Sequence, residues 1–126
     1  MPIWNINNYE DLSKGSWNNK NMLIKFHMEG CGHCEMLKKV WKQIENKLKN
    51  TSLLIVNIDS SVLEFVPYSH DILGFPTIRL VKNGRIIDYN EERTLSKIMQ
   101  WLKKNKVITK TLKKKIKRRK TLKLKK

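Results

Sequence analysis

Two short apolar runs separated by a longer amphipathic segment constrain the fold of this chain more than any other feature. The runs span residues 21–28 and 53–58, and each has the length and composition of a buried β-strand. Between them, in residues 32–48, apolar side chains recur every three or four positions, which predicts an amphipathic helix; they are Met36, Leu37, Val40, Trp41, Ile44 and Leu48. A strand, a helix and a strand in this order predict a parallel crossover unit.

The remaining segments extend this unit into an α/β domain. Asn83-Gly84 lies between two β-prone runs, 77–81 and 86–89, and this arrangement predicts a hairpin. Near the amino end we expect a first strand at 3–6 and a short irregular helix at 9–17, capped by Asn7 or Asn8. We also expect a helix of about eight to ten residues around 62–70 and a last helix from 95 to at least 104. Together they predict a central mixed sheet with helices on both faces.

Basic residues are concentrated at the carboxyl end of the chain. The full chain has 126 residues and a formal net charge of +16, and residues 103–126 contain fourteen Lys or Arg but no Asp or Glu. The preceding part is nearly neutral, at +2. This shift in composition predicts a folded domain over residues 1–104 and a basic tail over residues 105–126.

The predicted basic tail carries enough charge to neutralise phosphates of nucleic acid or another polyanion. Its segment 113–120, Lys-Lys-Lys-Ile-Lys-Arg-Arg-Lys, also resembles a nuclear-import signal. The alternative is a solvated tail that only aids solubility. Residues 105–126 contain no aromatic side chain, so stacking on bases is not expected.

Hydropathy argues against both a membrane span and a secretory signal. The longest aliphatic run, 53–56, is far shorter than the roughly 20 apolar residues needed to cross a bilayer. Residues 1–8 contain neither the basic region nor the continuous apolar stretch of a signal peptide. We therefore expect a protein that is not secreted and that stays in a reducing compartment, cytoplasmic by default.

The two cysteines of the chain, Cys31 and Cys34, open the helix predicted for residues 32–48. Two cysteines three residues apart cannot staple a small secreted scaffold, but they suit a reversible redox pair. Free backbone N–H groups and the helix dipole stabilise a thiolate at a helix amino terminus, and such cysteines have pKa values of roughly 3.5 to 7.5. We expect Cys31 to attack and Cys34, on the same side of the first turn, to resolve the disulfide.

The residues between the cysteines fit this chemistry. Gly32 lets a substrate chain approach, and a protonated His33 would favour the Cys31 thiolate and hence the reduced protein, as in an oxidant or isomerase. Half of a zinc site is one alternative, but zinc needs four ligands and the sequence has no second cysteine pair. Two inert buried thiols are the other alternative. We expect no metal.

Three groups of residues together resemble the thioredoxin superfamily. They are Phe26 through Cys34 with the following helix, Gly74-Phe75-Pro76-Thr77, and Lys82-Asn83-Gly84-Arg85-Ile86. The Cys-Gly-His-Cys (CGHC) motif is most similar to a catalytic domain of protein disulfide isomerase. This resemblance covers most of residues 1–104 and implies a thioredoxin fold and thiol-disulfide oxidoreductase activity.

The resemblance also implies roles for Phe75, Pro76 and Arg93. It implies that Pro76 is cis and that the backbone beside it, including Phe75, binds the substrate chain at the active site. From the residues alone, Pro76 can equally be a trans proline that opens an edge strand. Arg93 matches an arginine that, in the disulfide isomerases, is assigned a swing toward the resolving thiol that lowers its pKa. For Arg93 the alternative is a surface helix cap.

Two departures from the family pattern affect the expected site. Glu29-Gly30 stands where a proline and a tryptophan commonly precede the first cysteine. Lys25 occupies the position of a buried acid that relays a proton for the resolving thiol. A buried Lys25 can act as a base through a depressed pKa, or it can pair with a carboxylate and have no chemical role. We favour the carboxylate pairing.

The predicted function is disulfide exchange with protein thiols and disulfides through Cys31 and Cys34, without a bound organic cofactor. The alternative is an adaptor that uses a thioredoxin-like domain and the tail of residues 105–126 to dock on nucleic acid or a partner. Because residues 123–126 are Lys-Leu-Lys-Lys and not Lys-Asp-Glu-Leu, we expect the protein to differ from isomerases of the endoplasmic reticulum in its location. Its Lys, Asn and Ile content suits a large DNA virus or an AT-rich protist, and packaging in a virion is a hypothesis. We expect a monomer.

Overall fold

A computed structural model describes residues 3–108 of the chain. The strands are β1 (Ile3–Ile6), β2 (Asn21–His27), β3 (Leu54–Asp59), β4 (Thr77–Lys82) and β5 (Arg85–Asp88); the α-helices are α1 (Gly32–Leu48) and α2 (Leu95–Lys104); and the 3-10 helices are Tyr9–Lys14 and Ser60–Phe65. Within this range, no helix has the length and apolar character needed to span a bilayer. Residues 109–126, most of the predicted basic tail, lie outside the described residues, and so do the predictions made for them.

The five strands form one mixed sheet in the order β1-β3-β2-β4-β5. β3 pairs in parallel with both β1 and β2, so that β2, α1 and β3 form the predicted crossover unit. β4 pairs antiparallel with both β2 and β5. The predicted α/β fold with a central mixed sheet is therefore confirmed.

The connection between β4 and β5 confirms the predicted hairpin. Asn83 and Gly84 have φ angles of +52° and +81°. A two-residue turn of type I′ requires positive φ at both central positions, and Asn-Gly adopts it readily. The turn therefore sets the register in which Lys82 pairs with Arg85.

Different elements pack on the two faces of the sheet. Both α-helices pack on one face, where the core contains Leu23, Ile55, Ile78 and Leu80 of the sheet with Leu37, Trp41, Ile44, Leu48, Ile98, Trp101 and Leu102 of the helices. The other face is covered by the 3-10 helices and loops, in a cluster that includes Phe26, Ile58, Val62 and Val81. Helices therefore flank both faces, but the α-helices share one of them.

The helix predicted around residues 62–70 is wrong in type and extent. The structure has a 3-10 helix at Ser60–Phe65 and then an irregular segment that leads to β4. Pro67 has no N–H group to continue a helix. Tyr68 and Asp71 have φ angles of +62° and +58°, which are incompatible with a right-handed helix.

The first 3-10 helix is shorter than the predicted segment 9–17. Its cap is Asn8, whose side-chain Oδ1 accepts a hydrogen bond from the backbone N–H of Asp11 at 3.1 Å. The helix ends at Lys14, and Gly15 follows in an extended conformation. Of the two predicted caps, Asn8 is therefore correct and Asn7 is not.

Candidate active site

Cys31 and Cys34 stand at the amino terminus of α1, as predicted. Cys31 is the N-cap residue, and its Sγ accepts a hydrogen bond from the backbone N–H of Cys34 at 3.1 Å. The two cysteines are joined by a disulfide, and their Cα atoms are 5.2 Å apart. Cys31 is half-buried, whereas Cys34 is buried in the core. Of the pair, Cys31 is therefore the more open to a substrate.

The loop before β4 meets these cysteines. The Phe75–Pro76 peptide bond is cis, and Cys31 Sγ lies 3.5 Å from the carbonyl oxygen of Phe75. The sheet explains the contact, because Phe26 near the end of β2 pairs with Thr77 at the start of β4. The antiparallel pairing thus brings two segments more than forty residues apart to one edge of the sheet.

The surroundings of the disulfide are open on the side of Gly32 and His33, which are both exposed. A Cβ atom on Gly32 would meet no other atom within 4 Å. Before the first cysteine, Gly30 has a φ angle of +79°, a left-handed conformation that glycine adopts at little cost. The absence of a tryptophan at this position therefore coincides with a backbone turn that favours glycine.

Lys25 points to the face of the sheet that α1 covers, and its Nζ lies 5.6 Å from the centre of the Trp41 ring. Among residues 3–108, no carboxylate oxygen lies within 4.0 Å of that Nζ, so the expected direct pairing with a carboxylate is wrong. Burial lowers the pKa of Lys25, and the charge of Glu45 partly opposes this effect. A chemical role for Lys25 stays a prediction.

A histidine and a carboxylate that the sequence analysis missed lie close to Lys25. The register of β2 and β3 sets His27 opposite Asp59, and His27 Nε2 is 3.7 Å from Asp59 Oδ1. Burial lowers the pKa of His27, as do the charges of Lys25 and, more weakly, Lys38, whereas Asp59 acts in the opposite direction. Side chains alternate between the two faces of a strand, so the sequence predicts that residues 25 and 27 share a face, but it carries no signal that pairs His27 with Asp59.

Polar groups also anchor α1 to the sheet below the cysteines. The Trp41 indole N–H donates to Asn57 Oδ1 at 2.8 Å. The amide of Asn57 in turn donates to Asn5 Oδ1 at 2.8 Å and to Glu45 Oε2 at 2.9 Å. Because Asn57 is buried and these bonds satisfy its amide, the network fixes α1 over the parallel strands. The individual residues carry no sequence signal that predicts this network.

Arg93 is exposed and borders, together with Pro76, a cavity of about 350 Å³. The N-cap of α2 is Thr94, whose side-chain oxygen accepts from the backbone N–H of Lys97 at 3.2 Å. The alternative assignment of Arg93 as a helix cap is therefore wrong by one residue. The predicted swing of Arg93 toward Cys34 stays a prediction.

Potential metal ligands do not converge in the described part of the chain. Within residues 3–108 there is no group of three or more His, Cys, Asp or Glu side chains that could hold a metal ion. His27 and Asp59 form a pair without a third ligand. The groups that converge at the amino terminus of α1 are thus two sulfurs and the backbone beside Pro76.

Comparisons with known proteins agree with this geometry. Residues 4–104 match the family named Thioredoxin. Protein disulfide-isomerase of Drosophila melanogaster is 34% identical over 89 residues, which cover 68% of this chain and 18% of that protein. Protein disulfide-isomerase A4 of Rattus norvegicus is 26% identical over 99 residues, or 77% of this chain and 15% of that protein. The chain thus matches less than a fifth of the length of these relatives.

Solved structures show the same fold. The first thioredoxin domain of mouse protein disulfide-isomerase A4 superposes with a TM-score of 0.64 at 25% identity, over 82% of this chain and 72% of that one. The J-Trx1 fragment of ERdj5 superposes with a TM-score of 0.67 at 14% identity, over 82% of this chain and 51% of that one. The chain therefore belongs to the thioredoxin family and is related to the protein disulfide-isomerases.

Proposed function

We propose that this chain catalyses thiol–disulfide exchange with protein substrates. The observation that carries the proposal is the unequal exposure of two bonded sulfurs at one helix terminus, with half-buried Cys31 in front of buried Cys34. The backbone N–H of Cys34 points at Cys31 Sγ, and the positive end of the α1 dipole stabilises negative charge there. Cys31 is thus placed to attack a substrate disulfide as a thiolate. For the same reason its sulfur is the better leaving group when a mixed disulfide with the substrate is cleaved.

The proposed cycle in the reducing direction has two exchange steps. The thiolate of Cys31 attacks one sulfur of a substrate disulfide, forms a mixed disulfide and releases the other substrate sulfur as a thiolate, which takes up a proton. Cys34 loses its proton and attacks Cys31 Sγ, which expels the second substrate sulfur. The substrate gains two electrons and two protons, and Cys31–Cys34 becomes a disulfide. Oxidation of a substrate dithiol is the reverse sequence, and neither direction needs a bound organic cofactor.

The segment before β4 supports a peptide as the substrate. The Phe75 carbonyl lies beside Cys31 Sγ, and a backbone group at this distance can align an extended chain for in-line attack. The relatives are named protein disulfide-isomerases, which supports protein thiols and disulfides as the substrate class. Phe75 and Pro76 are the proposed substrate-binding residues.

Two serine variants test the order of the steps. Cys31→Ser should abolish insulin reduction, because no nucleophile remains at the exposed position. Cys34→Ser should accumulate a mixed disulfide between Cys31 and the substrate, visible by mass spectrometry and cleaved by dithiothreitol. Because the chain has two cysteines, each variant leaves a single thiol to be identified. Insulin reduction that survives Cys31→Ser, or a mixed disulfide that forms through Cys34, would contradict the proposal.

The reduction potential of the wild-type pair measures the direction of net exchange. Equilibration with glutathione should give a potential of about −180 mV if the pair acts as an isomerase or oxidant, whereas a reductant of the thioredoxin type has a value of about −270 mV. We expect the higher value, because the intervening His33 favours the Cys31 thiolate when it is protonated. The variant His33→Ala, an exposed change, should lower the potential.

A further inference from the structure

Charge is unevenly distributed over the described domain as well as along the chain. Residues 32–49 and 95–106, which contain the two α-helices, carry nine lysines and two glutamates, a formal net charge of +7. The other described residues carry seven basic and nine acidic side chains, a formal net charge of −2. Because α1 and α2 pack on the same face of the sheet, this positive charge lies on one side of the molecule.

These lysines face solvent and are mostly unpaired. Lys39, Lys42 and Lys47 on α1 are exposed, as is Lys104 on α2. Among the described residues, the ion pairs of the two helices are Lys38 with Glu35 at 3.1 Å and Lys97 with Glu91 at 3.9 Å. We name the solvent-facing lysines of residues 32–49 and 95–106 the helical basic face.

The chemistry of the helical basic face favours duplex phosphates over other polyanions. Of the large apolar side chains that residues 3–108 expose, Tyr9, Met28, Met36, Phe65 and Leu73, one lies on an α-helix. Insertion into a membrane interface needs an apolar face, and binding of single strands needs aromatic platforms. A surface with many lysines but without an apolar face or aromatic platforms suits the phosphate backbone of a double helix, because charge neutralisation dominates affinity there.

The dimensions agree with this partner. α1 has 17 residues and is therefore about 25 Å long. With a rise of about 3.4 Å per base pair, this length spans roughly seven base pairs of duplex. Beyond α2 the sequence continues with eleven more Lys or Arg in residues 109–126 and no acidic residue.

We propose that the helical basic face is a binding surface for the phosphate backbone of double-stranded nucleic acid, independent of the tail and of the disulfide chemistry. Binding is electrostatic and does not depend on base sequence, because phosphate contacts from lysine position a protein on the duplex and carry no sequence information. The active site at the amino terminus of α1 lies beside this face. A bound duplex would therefore hold the oxidoreductase near other nucleic-acid-bound proteins.

The test uses full-length protein and two matched pairs of substitutions. Lys39→Gln with Lys42→Gln removes two charges from the helical basic face. Lys20→Gln with Arg85→Gln removes two exposed charges outside both helices, one before β2 and one at the start of β5. Each pair is also made in a full-length chain whose eleven lysines and arginines in residues 109–126 are changed to Gln. Binding of a short labelled duplex DNA of mixed sequence is followed by fluorescence anisotropy between about 50 and 200 mM salt.

We expect the chain with the neutralised tail to retain duplex binding. In that background the Lys39 and Lys42 pair should lower the salt slope by roughly 1.8 and weaken binding at 0.1 M salt by roughly 60-fold, since each lost phosphate contact changes the slope by about 0.9. The Lys20 and Arg85 pair should leave the slope nearly unchanged. Insulin reduction should be the same in all variants, which shows that they fold.

Three results would overturn the proposal. Loss of all duplex binding when the tail is neutralised would assign binding to the tail alone. Equal effects of the two pairs would show that net charge, and not the helical basic face, determines affinity. Tighter binding to vesicles of phosphatidylcholine and phosphatidylserine than to duplex DNA would identify a membrane surface as the partner.

Discussion

Lys25 and His27 are half-buried basic side chains on the face of the sheet that α1 covers. The Nζ of Lys25 lies over the ring of Trp41, where a cation–π contact stabilises the charged form by about 0.5–2 kcal/mol and partly offsets the loss of hydration. His27 is held between that charge and the carboxylate of Asp59. Because burial disfavours its protonated form, His27 is neutral in the folded protein at neutral pH.

The lowered pKa of His27 predicts a stability that falls with acidification. Below the ordinary value of 6.5 the unfolded chain binds a proton at this histidine before the folded chain does. The free energy of unfolding should therefore decrease as the pH falls from about 7 toward the lower folded pKa, and it should be highest above 6.5. Burial is the main cause of the lowered pKa of His27; the charges of Lys25 and Lys38 add to it, and the charge of Asp59 opposes it.

Urea unfolding of the oxidised protein at a series of pH values measures the effect. His27→Gln cannot take up a proton and should flatten the decrease between pH 7 and 5. His70→Gln, at an exposed histidine, is the control and should retain the wild-type curve. An unchanged pH dependence in His27→Gln would mean that other groups cause it.

At the scale of elements, short polar side chains cap the helices, and one of these caps is also the proposed nucleophile. Cys31 caps α1 through its sulfur, and Thr94 caps α2 through its hydroxyl. In the proposed mechanism the Cys31 thiolate faces the same Cys34 N–H, so the cap interaction and the stabilisation of the thiolate have one cause. The stability of α1 and the chemistry of Cys31 are therefore linked.

The cap of α2 can be tested without disturbing the cysteines. Thr94→Ala removes the acceptor for the Lys97 N–H and should lower the free energy of unfolding by about 1 kcal/mol. Ser96→Ala, an exposed change in the first turn of the same helix, is the control and should change it by less than about 0.5 kcal/mol. Urea midpoints at constant slope measure both. Equal effects would show that Thr94 contributes through helix propensity and not through its cap.

For the molecule as a whole, buried Arg79 joins the sheet to the irregular segment that carries Pro76. Its guanidinium Nε donates to Asp88 Oδ1 at 2.7 Å. Nη1 and Nη2 donate to the carbonyl oxygens of Tyr68 and Asp71 at 2.9 and 3.3 Å. These two residues have positive φ angles in the irregular segment after the second 3-10 helix, so one side chain holds the turns on which the placement of Phe75 beside Cys31 depends.

Arg79→Met should therefore loosen the active site from a distance. The variant leaves two loop carbonyls without their donors and should lower the free energy of unfolding by about 3 kcal/mol. Hydrogen exchange in residues 66–76 should accelerate more than in β2 and β3, and insulin reduction should fall. Arg85→Met, at an exposed arginine, is the control. A stability loss without faster exchange in residues 66–76 would refute this positioning role.

Most of the fold was predictable because its signals are local. The apolar runs, the three- and four-residue spacing of α1 and the Asn-Gly turn each depend on neighbouring residues, and the structure has the corresponding elements. The segment 62–70 was not predictable in this way. Its apolar residues suggest a helix, but Pro67 and the tertiary contacts of Arg79 favour left-handed turns instead.

The candidate site likewise has a part that local sequence patterns predict and a part that they do not. Cys31, Gly32, His33 and Cys34 are contiguous, so their spacing and the apolar pattern that follows are enough to predict two thiols at the start of a helix. Three further relations come from the folded chain: Cys34 is buried behind Cys31, Phe75 lies beside Cys31 Sγ, and His27 faces Asp59. These relations depend on the register between strands distant in sequence, which is set by packing of the whole core and not by any local pattern.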